Sequence, residues 1–302
     1  MAYLQDCTYG KNNVRFLKVK RDPIDPKIHQ VMEASVRVML TGAFDVSYTK
    51  ADNSVIIPTD TIKNTILVEA KQTDVFPIER FAAHLVKHFF GKYSWIAGIT
   101  VHIEQAKWSK YSVDGKLQPH SFVKNGDEVR VCELVSKKNG DFVLTGGVQG
   151  LTVLKSSGSM FHGYNVCDYT TLKPVNERIL STDVDCKYKF DSAKIGSVDN
   201  IFTLADSGLF DKVFQSALKI TLDRFALENS ASVQATMYNM GTDIVNANPY
   251  VYNVSYALPN KHYILFDFSW KGLKNENEMF YPSPHPNGLI KCTVGREPIA
   301  KL

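Results

Sequence analysis

The chain has 302 residues, 44% apolar and 22% charged, with a formal charge of +4. This balance belongs to a globular chain able to bury a sizeable core and excludes a disordered one. The charge is too small to argue for nucleic acid and favours at most an anionic ligand at the mouth of a site. No apolar run reaches the roughly 18 residues that crossing a bilayer requires, so no membrane span is expected. The start, MAYLQDCTYGKNN, has no basic and apolar leader, and no secretory signal is expected. Cys7, Cys132, Cys167, Cys186 and Cys292 are scattered, never as CxxC, and read as free thiols.

In chain order, strands are predicted near Val14 to Lys20 and Gln30 to Thr49, the second alternating Val36, Val38 and Leu40 with Arg37, Met39 and Thr41. Asp22 to Pro26 is a turn-rich connection. Two amphipathic helices follow. One has Ile62, Ile66, Leu67 and Ala70 at helical spacing, and the other has Pro77 in its first turn and Ile78, Phe81, Ala82, Leu85 and Phe89 on one face. Strands near Ile99 to Trp108 and Glu128 to Ser136 close the first half. The second half repeats this order, with strands near Gly150 to Lys155 and Thr182 to Phe190, then helices around Leu209 to Ala217 and Ser232 to Val245. Strands near Tyr252 to Leu258, Tyr263 to Trp270 and Leu289 to Val294 end it. An α+β fold of two tandem ββααββ units is expected, residues 1–140 and 141–302, with no low-complexity linker between them.

The stretch Leu151 to Asp185 holds the strongest chemical signal. Phe161, just past a Ser and Gly turn, offers a flat face for a planar ring, and Arg178 offers a planar fork of donors for an oxyanion. Each alone has a plainer reading, as a core ring and a surface ion pair. Lys11 in Tyr9-Gly10-Lys11 reads locally as a strand flank, Thr59-Asp60 as the cap of the next helix, Gln234 as a surface residue, and His262 as incidental beside a turn at Leu258 to Tyr263. His84 and His88 lie four apart, but with no Glu between them and no third ligand they read as helix-edge residues, not a zinc pair. There is no dinucleotide fingerprint, phosphate loop, flavin site or Gly-x-Ser-x-Gly elbow. Neither metal nor cofactor is expected.

The spacing Lys155-Ser156-Ser157, Ser159, Phe161, Tyr164, Tyr169, Leu172, Arg178 resembles the signature of the urate oxidase (uricase) family, and the likeness extends from Tyr9 to Val294. Asn165 to Asp168 departs from it, being more apolar than in many members. The resemblance implies the tunnelling fold (T-fold), in which each half is an antiparallel four-stranded sheet with two helices on one face, several chains closing the sheets into a barrel-like tunnel. It implies cofactor-independent oxidation of urate by dioxygen and water to 5-hydroxyisourate and hydrogen peroxide. By the same resemblance Lys11, Thr59 and His262 are catalytic. Thr59, Asp60, Phe161, Leu172, Arg178, Val233, Gln234 and Asn260 bind substrate or dioxygen. Sites shared between subunits of a homotetramer are implied too. Ala300-Lys301-Leu302 resembles a peroxisomal address, with an import receptor as partner. Two alternatives stay open: a T-fold enzyme acting on another purine or a pterin, and a non-catalytic purine-binding protein, which would need Arg178 and Gln234 but not Lys11.

Overall fold

The computed structural model describes residues 2–296. The elements are β1 (Tyr9–Arg21), β2 (His29–Gly42), α1 (Asp45–Thr49), α2 (Thr59–Gln72), α3 (Ile78–Lys92), β3 (Ile96–Val113), β4 (Lys116–Lys137), β5 (Phe142–Lys155), β6 (Leu180–Phe190), α4 (Ser192–Ile195), α5 (Asn200–Asp206), α6 (Leu209–Leu227), α7 (Val233–Ala247), β7 (Val251–Leu265) and β8 (Phe280–Gly295). The strands are hydrogen-bonded in chain order. The chain divides into two compact units, one running to Gly147 and taking in Lys189–Phe214, the other holding Val148–Tyr188 and the chain from Gln215 onward.

In the first unit, the alternation of β2 becomes a two-faced strand. Met32, Ala34, Val36, Val38 and Leu40 are buried, as are Ile99, Val101 and Ile103 on the paired strand β3. Onto this apolar face α3 lays Ile78, Phe81, Ala82, Leu85 and Phe89, all fully buried. Each of the four larger side chains contributes roughly 1.5–3 kcal/mol of hydrophobic stabilisation. The neighbouring α2 buries Ile62, Ile66 and Ala70, but Leu67 points away and stays exposed. Its last turn is closed from outside the helix, because Lys18 Nζ donates to the carbonyl of Ala70 at 2.6 Å and also to those of Lys71 and Thr73. A cation there meets the negative end of the helix dipole.

In the second unit α7 packs on β7 and β8 through Met237, Met240 and Ile244. Gly241 permits the close approach, since a Cβ there would lie 2.8 Å from Val294 Cγ2. Arg296 returns to cap α7, donating to the carbonyls of Val245, Asn248 and Val251.

The strand expected to reach Trp270 ends at Leu265, and three further expectations change. The strand expected to run to Thr49 ends at Gly42, and Asp45–Thr49 is a short helix with no buried residue. Thr59 and Asp60 do not cap α2: Pro58 holds the N-cap position, without a side-chain cap, and its carbonyl accepts from Ile62 N at 3.1 Å. Leu258 to Tyr263 is not a turn between two strands but the middle of β7, with Pro259 opposite Leu289 and a bulge between Asn260 and His262.

Candidate functional site

The expected residues fall into two groups, one in each unit. In the first unit Lys11 lies near the start of β1, half-buried and opposite Val38. Gly10 must be glycine here, for a Cβ would stand 1.9 Å from the Val38 carbonyl oxygen. Directly after Lys11 the strand bulges. Asn13 takes a left-handed φ of 62°, and its side-chain carbonyl accepts from Ser35 Oγ at 2.9 Å. Such a bulge re-aims the side chain beside it.

Tyr9 links this strand to the helix start. Its ring packs edge-on against Phe44, centroids 4.9 Å apart, and its hydroxyl accepts from Ile57 N at 2.8 Å. Burial pushes the Tyr9 phenol above its ordinary value. Ile57 is two residues before Thr59, as Tyr9 is two before Lys11. Thr59 and Asp60 form the exposed first turn of α2, where an acid suits the helix dipole. The Asp60 carboxyl is held below the usual range by its hydrogen bond and charge contact with Lys63, and more weakly by the charge of Lys11. Lys11 and Asp60 therefore share one corner.

In the second unit the segment Gly158 to Phe161 is bracketed on both sides. Phe161 and Val175 exchange backbone hydrogen bonds of 2.8 and 2.9 Å, and Arg178 N donates to Ser159 O at 2.9 Å. These bonds bring the Arg178 guanidinium over the Phe161 ring, 5.0 Å from its centroid, while Arg178 Nε reaches Ser159 Oγ at 3.4 Å. Tyr164 stacks on Phe161 at 4.9 Å and 20°. Burial pulls the guanidinium below its ordinary pKa. A half-dehydrated cation above an aromatic face can pair with a flat anion.

On the other side of the same segment, Met160 N donates to Ser230 O and Ser230 N to Gly158 O, both at 2.9 Å. Two residues later Ser232, expected inside the helix, instead caps α7 by accepting from Ala235 N. Val233 is then buried and Gln234 exposed at the first turn. Asn260 is half-buried opposite Gly288, with Thr182 Oγ1 donating to the adjacent Pro259 carbonyl at 2.9 Å, and His262 is exposed opposite Ser283. Leu172 is 57% exposed, and its carbonyl accepts from Tyr164 Oη at 2.6 Å. A shallow cleft of about 440 Å³, lined among others by Asp185, Lys187, Tyr256 and Lys291, contains none of these residues. Among the described residues no cluster of His, Cys, Asp and Glu has metal-binding geometry.

Strands paired in chain order, with helices packed against them, define a tunnelling-fold protein. The chain belongs to the uricase family, whose model, described as "Uricase", matches residues 7–135 and 144–291. It is 60% identical to the uricase of Cyberlindnera jadinii over 99% of each chain, and 43% identical to that of Aspergillus flavus over 98% of each. The crystal structure of uricase from Arthrobacter globiformis superposes with a TM-score of 0.86 at 33% identity, over 98% of this chain and 96% of that one.

What the sequence did not disclose is how the pieces are joined. Tyr9 and Ile57, Lys155 and Ser230, and Thr182 and Pro259 are pairs remote in sequence. Tyr9 and Lys155 lie inside the motifs singled out above, which was the one available sign.

Proposed function

We propose that this protein oxidises urate with dioxygen and water to 5-hydroxyisourate and hydrogen peroxide. The observation that carries the reading is the desolvated Arg178 guanidinium lying over Phe161, at positions that match the family signature. Urate is an electron-rich planar anion. Once a second proton leaves, the ring gives two electrons to dioxygen, which takes up two protons to become peroxide, while water adds its oxygen at the oxidised ring carbon. In this scheme Arg178 and Gln234 grip the ring edge in its plane, Phe161 stacks below it, and Val233 and Leu172 exclude water. Lys11, Thr59 and His262 move the protons, while Asn260 and Thr59 hold dioxygen and then water. Asp60 keeps Lys11 and the helix start in one electrostatic corner.

The reading includes a homotetramer with sites shared between subunits. In support, Ile264, Leu265, Trp270, Leu273, Met279 and Tyr281 stand exposed on or beside β7 and β8, apolar surface that an assembly would cover. It also includes peroxisomal residence through Ala300, Lys301 and Leu302, which lie outside the described residues. The test of function is direct: purified protein, urate and air, with no additive, should lose the urate absorbance and release one peroxide per urate. Urate left unchanged while a pterin or another purine is consumed would transfer the site to that substrate.

A further inference from the structure

We propose that Lys155 is a positioning residue of the clamp, an ammonium that locks Ser230 to the segment carrying Phe161 and Arg178 and so sets their distance from Gln234. The inference rests on the urate reading above. Lys155 is the last residue of β5. Its Nζ donates to the Glu228 carbonyl at 2.7 Å and to Ser230 Oγ at 2.8 Å, and lies 5.5 Å above the Phe225 ring. Both acceptors belong to the turn that leads into α7.

A lysine on a surface contributes little through an exposed ion pair. This one is half-buried and spends its donors on a carbonyl and a hydroxyl. The nearby carboxylates are occupied with the same framework. Glu177 Oε1 accepts from Gly158 N at 2.8 Å, and Glu228 accepts from Thr236 Oγ1 at 2.9 Å and Asn239 Nδ2 at 3.0 Å. Ser230 itself is fully buried, with Thr236 Oγ1 a further 3.0 Å neighbour of its hydroxyl. Backbone bonds tie it to Gly158 and Met160, Arg178 is tied to Ser159, and Ser232 starts the helix that bears Gln234. Lys155 thus adds a side-chain tie at Ser230, in the middle of a path of backbone hydrogen bonds and covalent chain that runs from Arg178 through Ser159 to the start of the helix bearing Gln234. A planar clamp tolerates only small errors in the separation of its two jaws, so loosening that middle costs binding before it costs chemistry.

The test uses the full-length protein and measures urate affinity without dioxygen beside steady-state kinetics. Lys155→Met, which removes both donations, should loosen the spacing of the jaws and raise both the anaerobic Kd and the KM for urate about tenfold. Its kcat should change less than about threefold, and the pH profile of kcat should keep the wild-type shape. Lys155→Arg, which keeps two donors for the same oxygens, should restore the Kd to within about threefold. Ser230→Ala should shift Kd in the same direction and decides the matter if Lys155→Met does not fold. A wild-type Kd in Lys155→Met with only a lower Tm, or in Ser230→Ala, would reduce the lysine to a structural tie and overturn the proposal. A normal Kd with lowered kcat and a displaced pH limb would make it a proton carrier and overturn it equally. Wild-type protein that neither binds nor oxidises urate would sink the functional reading itself.

Discussion

Arg178→Lys should injure the protein far more than conservation of charge suggests. The arginine brings three things to its place: a guanidinium 5.0 Å over Phe161, an Nε directed at Ser159 Oγ, and a remaining pair of nitrogens free to form a planar fork. A lysine keeps the charge but reaches a ring-stacked position poorly and cannot make two parallel bonds to one ligand edge. Losing one charge-assisted hydrogen bond to the ligand costs about 1.5–3 kcal/mol, a fall in kcat/KM of about 10-fold to 150-fold. The ring contact, made before any ligand binds, counts toward stability instead, at about 0.5–1 kcal/mol for a partly exposed site. Stability should change little beyond that, because the Arg178 backbone N–H still donates to Ser159 O in the variant. The assay is urate disappearance with peroxide release across a range of urate concentrations, with Tm measured alongside. A variant within about threefold of wild-type kcat/KM would show that Arg178 does not hold the substrate.

Three further outcomes follow from the same structure. Tyr9→Phe keeps the edge contact with Phe44 but leaves the buried Ile57 N–H without its acceptor, so kcat should fall several-fold and stability by about 1–3 kcal/mol; an unaltered kcat would dissociate this bond from Thr59 placement. Lys18→Met strips the carbonyls at the end of α2 of their donor, and urea titration should find about 1–2 kcal/mol of stability lost. His88 gives a pH dependence. Burial lowers its pKa from the ordinary histidine value, outweighing the Glu69 carboxylate 3.2 Å from Nδ1, and its buried Nε2 has no acceptor among the described residues to which it could donate once protonated. The unfolded chain therefore binds that proton more readily, so stability is intact above pH 6.5 and declines as pH falls below it; Lys92 and His84 nearby act in the same direction. His88→Gln should flatten that slope between pH 6.5 and 5 relative to wild type, and an unchanged slope would assign it to other groups.

The fold was legible wherever one face of an element meets the core. Alternation in β2 and the apolar face of α3 follow directly from burial, and the structure has them where periodicity places them. Legibility failed where burial stops. The outer ends of β3 and β4, beyond Trp108 and before Glu128, are mostly exposed and leave no alternation to read. At Pro259-Asn260-Lys261 the local chemistry favours a turn, yet the strand continues. Its pairing with β8 bulges past Asn260, and Thr182 Oγ1 bonds to the carbonyl of Pro259. Tertiary pairing there overrides local propensity.

The same division explains the site. Individual site positions can be read from spacing because a binding residue must stand at a fixed place on its element, and Ser232 capping α7 shows how local that requirement is. The geometry between positions is carried by bonds such as Tyr9 to Ile57 and Lys155 to Ser230, whose partners are separated by long stretches of chain and leave no local pattern. Leu172 makes the limit plain. Its assigned role is to keep a pocket dry, yet it is 57% exposed while Val233 is already 7% exposed. The strength of a cation for an anion depends on how much water is removed around them. A clamp whose apolar wall is still wet in the isolated chain gains most of its force when another surface closes over it. If the proposed tetramer forms, affinity and assembly are coupled through the same few apolar side chains, and a chain with every proposed site residue in place would still need its neighbours.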